Sequence, residues 1–540
     1  MTKDILFNNS NVLYNLQYEA IFDDLAVPPK ALTYNTKSAS GSSNSPNAAS
    51  FPPYPETEPE TRSQTSTLAP SSAIPRAPSQ GHQPSPFPPP PKEPQVYDTQ
   101  LFDTFMQRNP DIKFVYVQWL DYMATIRVRM VPIKEFDRMV RSGDRIGISQ
   151  GNTGTLQNDG STPVMNPVGQ IYVEPDLRSL RRTHKRDPLP SATVLSFWRD
   201  ELGNPIRECP RANMEIFINE IQYSHGSKYH YGWIFEFICL SYVDIVKLLC
   251  GFEIEVTFLR RNDAPEGEAY TPLTRTHAWG TLTPEQWLQA PLLAEIATSL
   301  SEIDIEVQQF HAESGQGQYE FVLAPQPLLA AVDSLIQARQ VVAQIAALHG
   351  LRATLHPKPF PGIGTAAHAH ISLDPPDRDL QFFVGGVLTH LPAICAFTLP
   401  DEISYGRVAD DSWTGGTWVA WGTQNREVPL RRVSGGRWEI RCLDGFANLY
   451  FAVSAILAAG LLGLKSSVVD FPQRDVPCNP SQLDEAGRAK YGITQKLPAT
   501  FQEAVHALQA DGELKEALAD EFVMDYLAMK ESEQLSLIHI

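Results

Sequence analysis

Cysteine is scarce in this sequence, and its few cysteines are far apart. The 540 residues contain six of them, at Cys209, Cys239, Cys250, Cys395, Cys442 and Cys478. None forms a C-x-x-C pair, which argues against a zinc site, and scattered cysteines are typical of reduced thiols in the cytosol. The first 22 residues also lack the apolar core of a secretory signal. We therefore expect a cytoplasmic protein.

Positive charge is scarce as well. Lys and Arg number 44 against 62 Asp and Glu, so the formal net charge is −18. A strongly acidic chain is repelled by phosphate backbones and by anionic lipid surfaces. We expect neither nucleic acid nor a membrane among its partners.

Residues 446–464 form a long uncharged run. Its length alone would suit a membrane-spanning helix. However, it follows RWEIRCLDG without an intervening loop, and its alanines and glycines suit a helix packed inside a large soluble core. We predict a buried core helix here.

The N-terminal part of the chain has few residues that build a core. Residues 36–93 are rich in Ser, Pro, Thr and Ala and end in PFPPPPKEP. Such a composition buries too little apolar surface to offset the entropy lost on ordering. We predict that residues 1–95 form a disordered extension.

Four short segments alternate apolar and polar residues, as strands with one buried face do. They are GFEIEVTF (251–258), QYEFVL (318–323), AHAHISL (367–373) and RWEIRCLD (437–444). Their polar faces carry Glu253 and Glu255, then Glu320, then His368, His370 and Ser372, and finally Glu439 and Arg441.

Carboxylates on such strands are costly to bury unless a cation accompanies them. A single His-x-His pattern is more often structural than metal-binding, but here several acidic strands accompany it. Carboxylate-rich sites with one imidazole suit Mg²⁺ or Mn²⁺ better than zinc. The pattern predicts a site for one of these ions.

Four motifs in this order resemble the glutamine synthetase family, and more narrowly its FluG-like and γ-glutamyl-amine-ligase-like branches. The motifs are HAESGQGQYE (311–320), KPFPGIGTAAHAHISL (358–373), NREVPLR (425–431) and RWEIRCLDGFANLYFAVSAILAAGLLG (437–463). The resemblance covers roughly residues 100–530.

The resemblance implies an α+β fold with two domains. A small N-terminal β-grasp domain is expected at residues 96–190, with a hairpin at 111–129. A catalytic domain with a curved antiparallel sheet and flanking helices is expected at 191–535. Residues 222–250 match nothing in the family, and we interpret them as an insertion, either a surface loop or translated non-coding sequence.

The resemblance also implies ATP and two divalent ions, Mg²⁺ or Mn²⁺, as cofactors, and it assigns roles to individual residues. The ligands of one ion are Glu255, Glu313 and Glu320, and those of the other are Glu253, His368 and Glu439. Substrate contacts are assigned to Gly364, Arg407 and Arg441. Contacts to the nucleotide and its phosphates are assigned to His370, Ser372, Arg431 and Arg437. Catalysis is assigned to Arg426, Glu313 and Glu320.

The end of the site that would receive the amine departs from the family pattern. The small-domain aspartate that helps to bind ammonium has no match, and the flap glutamate falls at Trp413. Asp410 and Asp411 lie close by and offer substitutes. An asparagine and a glycine of the substrate loop are replaced by Ile363 and Ala366.

Three functional classes remain open at this point. The first is an ATP-dependent ligase that joins glutamate, or a similar acid, to an organic amine through an acyl phosphate. The second is glutamine synthetase proper, with ammonium as acceptor. The third is a non-catalytic signalling protein on the same fold. For an enzyme, the resemblance implies small-molecule substrates and a homo-oligomer with its sites between subunits.

Overall fold

Two β-sheets with helices packed on them make up the described part of the chain. The computed structural model describes residues 96–226, 247–262, 269–275, 277–362, 364–374, 380–434, 436–466 and 474–538. The predicted N-terminal extension, most of the predicted insertion and Ile363 lie outside these residues.

The first sheet has six strands and belongs to the small domain. Five are ordered β2-β1-β6-β4-β3, and β5 pairs with β6. The strands are β1 (Phe114–Leu120), β2 (Ile126–Pro132), β3 (Ile146–Ser149), β4 (Gln170–Pro175), β5 (Arg181–Arg182) and β6 (Ser191–Arg199).

The predicted hairpin is confirmed as the β1–β2 pair. Its turn places Ala124 at φ 59°, in the left-handed region that favours glycine. The turn is held because Asp121, which is buried, accepts hydrogen bonds from the backbone amides of Met123 and Thr125. A side-chain anchor therefore stabilises a backbone shape that alanine does not favour.

Two elements lie at the boundaries that the sequence predicts. Strand β6 begins at Ser191, where the catalytic domain is predicted to start, and pairs with β1 and β4 of the first sheet. Residues 222–226 continue a helix, and residues 247–250 begin a strand in which Cys250 is fully buried. Residues 227–246 of the predicted insertion lie outside the described residues.

The second sheet has ten strands and forms the floor of the catalytic domain. Seven are ordered β14-β15-β16-β13-β7-β10-β9, and β8, β11 and β12 pair with β7. The strands are β7 (Lys247–Arg261), β8 (Tyr270–Pro272), β9 (Val307–Ala312), β10 (Gln318–Leu323), β11 (Gln326–Pro327), β12 (Leu351–Thr354), β13 (Ala369–Asp374), β14 (Trp421–Thr423), β15 (Leu430–Ser434) and β16 (Arg437–Ile440). The sheet is mixed rather than purely antiparallel, because β14 and β15 run parallel.

Helices cover the sheets and fill the space between them. In the small domain they are α1 (Val96–Arg108) and α2 (Ile133–Ser142). They continue with α3 (Pro210–Gly226), α4 (Pro284–Trp287), α5 (Ala290–Ser301), α6 (Leu328–Leu348), α7 (Leu380–Thr389), α8 (Leu391–Thr398), α9 (Glu402–Tyr405) and α10 (Leu449–Ser466). The last four are α11 (Glu485–Lys490), α12 (Phe501–Ala510), α13 (Gly512–Leu518) and α14 (Asp520–Ile538).

The long apolar run forms α10, which lies inside the protein as predicted. By length and composition α10 could cross a membrane, but 78% of it is buried in the protein. It packs closely on α7, since a Cβ atom at Gly463 of α10 would lie 2.1 Å from the carbonyl oxygen of Phe382 in α7. The glycines of this run thus allow two helix backbones to touch.

A buried ion cluster joins the small domain to the catalytic domain. Arg211 of α3 donates to Asp176, which follows β4, and to Asp333 of α6, each with a shortest distance of 2.7 Å. The hydroxyl of Tyr450 donates to Asp333 at 2.6 Å, and the guanidinium lies 4.2 Å from the ring centroid of Phe197. Charges buried in this way are strongly interdependent, because removing one leaves the others without compensation.

We predict that Arg211→Met lowers the free energy of unfolding by about 3–5 kcal/mol, because it leaves two buried carboxylates without their ion-pair partner. Urea titration followed by circular dichroism measures this. The matched control is Arg178→Met, because Arg178 binds the same Asp176 with a side chain that is 54% exposed. An exposed pair contributes about 1 kcal/mol or less. Equal losses in the two variants would contradict a special role for Arg211.

Candidate active site

A row of polar side chains crosses three neighbouring strands of the large sheet. His311 of β9 stands directly opposite Glu320 of β10, which in turn stands opposite Glu255 of β7. Directly opposed residues of paired strands project from the same face. The Nε2 atom of His311 lies 3.3 Å from Glu320 Oε1, and its Nδ1 atom lies 3.7 Å from Glu313 Oε1. The ligand atoms of His311, Glu313 and Glu320 lie within 4.8 Å of one another.

A tight turn brings Glu313 and Gln318 into this row. Gly317 has φ 68°, and a Cβ atom there would lie 2.7 Å from the carbonyl oxygen of Phe258. The turn directs the Gln318 amide onto Glu255 Oε2 and onto the carbonyl oxygen of Gly364, both at 3.0 Å. Gln318 therefore connects the predicted metal site to the predicted substrate loop.

The carboxylates of this row repel one another. Burial and the negative charges of Glu320 and Glu313 raise the pKa of Glu255 to about 8. Burial and Glu320 likewise raise the pKa of Glu313 to about 7. The hydrogen bond to Glu320 raises the pKa of His311 to about 9. Each shift has the direction expected for a negative site that attracts cations.

A second row lies on the other side of β7. Arg431 of β15, Glu439 of β16 and His370 of β13 stand opposite one another along the ladder. Glu253 completes the group from β7, with Oε1 2.8 Å from His370 Nε2 and Oε2 2.9 Å from His368 Nδ1. The ligand atoms of Glu253, His370 and Glu439 lie within 4.8 Å of one another.

Histidine and arginine side chains offset the negative charge of the carboxylates in this second row. Burial opposes ionisation of Glu253, but hydrogen bonds to His368 and His370 hold its pKa well below the usual range. Glu439 lies 2.8 Å from Arg431 and forms an ion pair with Arg441. Burial, together with the Arg441 charge, lowers the pKa of His368. A neutral imidazole is the form that binds a metal.

Both rows fit a hard divalent cation. Each combines carboxylate oxygens with imidazole nitrogen, the donor set expected for Mg²⁺ or Mn²⁺. Nε2 of His368 and Nδ1 of His370 are buried, and neither has a hydrogen-bond partner among the described residues. A cation would also offset the mutual repulsion of the crowded carboxylates in the first row.

The clusters differ by one residue each from the ligand sets that the resemblance implied. His370 joins the second cluster, while His368 lies beside it, 3.3 Å from Glu439. His311 joins the first cluster, while Glu255 is held by Gln318 and by the backbone amide of Ala366. Sequence reasoning missed His311 and Gln318, although both lie in the HAESGQGQYE motif.

The predicted substrate arginines lie next to the clusters. Arg407 is buried and donates to the carbonyl oxygen of Arg441 at 3.2 Å. Gly364 packs against its side chain, since a Cβ atom there would lie 2.5 Å from Arg407 Cγ. Arg441 donates to the carbonyl oxygen of Trp413 at 2.7 Å. Direct contacts therefore connect Gly364, the two arginines and Trp413.

The remaining predicted contacts lie further out. Ser372 follows His370 on β13, two positions along the strand and therefore on the same face. Arg426 and Arg437 have exposed side chains. Among the residues that the structure describes, neither makes a hydrogen bond or ion pair with the two clusters.

Comparison with known proteins agrees with this arrangement. Residues 207–538, more than half of the chain, match the family model described as glutamine synthetase, catalytic domain. Protein fluG of Emericella nidulans is 42% identical over 450 residues, which cover 82% of this chain and 49% of that protein. The chain thus spans about half the length of protein fluG.

Two further matches extend over most of both partners. The γ-glutamylpolyamine synthetase GlnA3 of Streptomyces coelicolor is 28% identical over 430 residues, which cover 75% of this chain and 86% of that protein. A solved structure of a GmaS/ADP complex superposes with a TM-score of 0.66 at 22% identity, covering 81% of this chain and 96% of that one. The chain therefore belongs to the glutamine synthetase family, in its FluG-like branch.

Proposed function

We propose that this protein is an ATP-dependent ligase that joins the side-chain carboxylate of glutamate, or of a similar acid, to an amine. The observation that carries the proposal is the pair of acidic clusters on adjoining strands, with Arg407, Arg431 and Arg441 beside them. A carboxylate is a poor electrophile, so the reaction requires activation as an acyl phosphate. ATP and divalent ions, when bound, supply the phosphoryl group and offset its charge.

Each of the two clusters would hold one divalent ion. Glu255, Glu313 and Glu320, with His311, would hold the ion nearer the acid. Glu253, His368 and Glu439, with His370, would hold the ion nearer the nucleotide. Ser372, Arg431 and Arg437 would contact the nucleotide and its phosphates, and Arg426 would stabilise the transferred phosphoryl group.

The arginines and the substrate loop would orient the acid. The guanidinium of Arg441 is fixed between Glu439 and the carbonyl oxygen of Trp413, so its remaining donors have a defined direction. Together with Arg407 it offers planar, bidentate pairing to carboxylate oxygens. The carbonyl oxygen of Gly364 would accept from the amino group of the acid, in place of its present donor Gln318.

The acceptor that fits this chain best is an organic amine. Trp413, at the flap position, exposes 67% of its surface and offers both apolar area and a π face that attracts cations. Similarity to a γ-glutamylpolyamine synthetase supports the same conclusion.

The competing assignment is glutamine synthetase proper, with ammonium as acceptor. Two assembled acidic clusters weigh against a non-catalytic role, because buried carboxylates are costly to retain.

We also propose a cytoplasmic homo-oligomer with sites completed by a neighbouring subunit. The proposal rests on family likeness and on the small sheet, whose edge strand β2 exposes Val128 and Met130. An edge strand with exposed apolar side chains is suited to contact with another chain.

Removal of metal should make stability depend on pH. Glu255 and Glu313 have raised pKa values, so the folded protein retains protons that the unfolded chain releases. The free energy of unfolding of EDTA-treated protein should therefore fall as the pH rises from about 5 to about 8. His311, whose pKa is also raised, acts in the same direction.

Mg²⁺ or Mn²⁺ should reverse this loss and add about 2.7 kcal/mol at a hundred times its dissociation constant. Thermal and urea unfolding at several pH values, with and without the ion, measure both effects. Identical pH profiles in the two conditions would count against a metal at the first cluster.

Glu313→Ala should reduce metal-dependent ADP release in the presence of glutamate and an amine to background, with the fold intact. Loss of one anionic donor weakens ion binding without opening the core. The matched control is Glu302→Ala, which removes a carboxylate paired with the exposed Lys185. Turnover within a few-fold of the parent at modest Mg²⁺ would rule out the assigned role of Glu313.

The acceptor should be an organic amine rather than ammonium. With ATP, glutamate and Mg²⁺, we expect kcat/KM for at least one alkyl, aryl or polyamine to exceed that for ammonium. Ammonium is small and cationic and needs nearby carboxylates to bind it, whereas Trp413 favours a carbon body. ADP release and product mass across an amine panel decide the point. A preference for ammonium would establish the protein as a glutamine synthetase with a rebuilt flap.

A further inference from the structure

The segment at residues 410–417, which we call the Trp413 loop, has an unusual backbone. Asp411 and Trp413 both have φ 58°, and Gly415 and Gly416 have φ 101° and 63°. Left-handed conformations are rare for residues with a side chain, above all for a bulky one. Such strain persists only where surrounding contacts impose it, and it is frequent at ligand-binding segments.

The two aspartates of the loop are occupied with holding it in place. Asp410 accepts hydrogen bonds from the backbone amide and the hydroxyl of Thr417, each at 2.8 Å. Asp411 Oδ1 accepts from Asn479 at 2.7 Å and from Gln482 at 3.0 Å. The suggestion from sequence that either residue replaces the missing acid at the amine end therefore finds no support in the structure.

A different carboxylate lies against Trp413. Glu427, in the motif NREVPLR, accepts from the Trp413 backbone amide through Oε1 at 2.9 Å. Its other oxygen, Oε2, is buried and has no hydrogen-bond donor among the described residues. A buried carboxylate oxygen without a donor is costly, and an ammonium group entering beside Trp413 would supply that donor.

Glu427 is also connected to the proposed substrate site. The carbonyl oxygen of Trp413, the same residue whose amide binds Glu427, accepts from Arg441. Arg441 in turn is paired with Glu439 of the second cluster. The Trp413 side chain is 67% exposed, so its ring is accessible to a ligand that approaches from solvent.

We propose that Glu427 binds the ammonium group of the acceptor amine and takes its proton, while the Trp413 ring covers the carbon body of the amine. This inference rests on the proposed ligase function. The carboxylate that takes the proton then lies in residues 425–429, which precede β15, and not in the Trp413 loop.

Two protons leave the amine nitrogen during the reaction. The acceptor enters as R–NH₃⁺ and gives one proton to Glu427 Oε2, leaving R–NH₂ and a neutral carboxylic acid. The nitrogen lone pair then forms the C–N bond at the acyl carbon, and the C–O bond to the phosphoryl group breaks with its electron pair on the departing phosphate. The second nitrogen proton leaves to phosphate, which yields the amide.

The test compares nucleophiles that do and do not require a base. Hydroxylamine is largely uncharged at neutral pH and attacks acyl phosphates without prior deprotonation, whereas n-butylamine and 1,4-diaminobutane enter as cations. Glu427→Gln keeps an oxygen to accept from Trp413 but removes the charge and the base. We expect kcat/KM for the cationic amines to fall about 100-fold or more, with hydroxamate formation changed less than about threefold.

Two further variants make the result specific. Glu427→Asp retains a carboxylate and should recover part of the amine-dependent rate. Asp411→Asn removes a neighbouring charge while keeping a residue type that tolerates the left-handed conformation, and it should leave the ratio of the two rates unchanged. Circular dichroism confirms that each variant is folded.

The outcomes separate this inference from the function on which it rests. If the parent protein forms neither hydroxamate nor amide, the ligase proposal fails. If the parent forms both and Glu427→Gln loses both in proportion, or loses neither, the ligase proposal stands and the role of Glu427 is overturned.

Discussion

Mutual repulsion among buried carboxylates is the constraint on which the catalytic face depends. Glu255, Glu313 and Glu320 share one small region of a sheet, in surroundings that favour their neutral forms. Among the described residues, the first cluster sets one histidine, His311, against two carboxylates. A region of this kind is stabilised by added positive charge, and divalent metals are generally used in the family.

Strand register accounts for much of the arrangement. Opposed residues of β9, β10 and β7 supply one row, and those of β15, β16 and β13 supply the other. The second row differs in character because arginines and imidazoles surround Glu253 and Glu439. One sheet thus presents two sites of different electrostatic balance, one lacking positive charge and one nearly compensated.

Sequence patterns predicted the polar strand faces, the core helix and the family fold, because alternation and local composition determine each of them. The membership of each cluster was harder to predict, since it depends on which strands are neighbours. In the sequence, His311 resembles an ordinary strand histidine. Its role is visible only in the structure, where pairing with β10 sets it opposite Glu320. Gln318 has no charge to mark it, and its importance comes from the turn at Gly317. Local sequence also does not show which sheet β6 joins, because its partner β1 lies far away in sequence.

The buried Arg211 cluster has a consequence for how the protein moves. Rotation of the small domain against the catalytic domain would separate Arg211 from Asp176 or Asp333 inside the protein, where each unpaired charge is very unfavourable. The cluster therefore opposes any motion that would separate Asp176, beside the small sheet, from Asp333 of α6. Motions that leave this cluster intact are those of short surface segments, whose displacement exposes no buried charge.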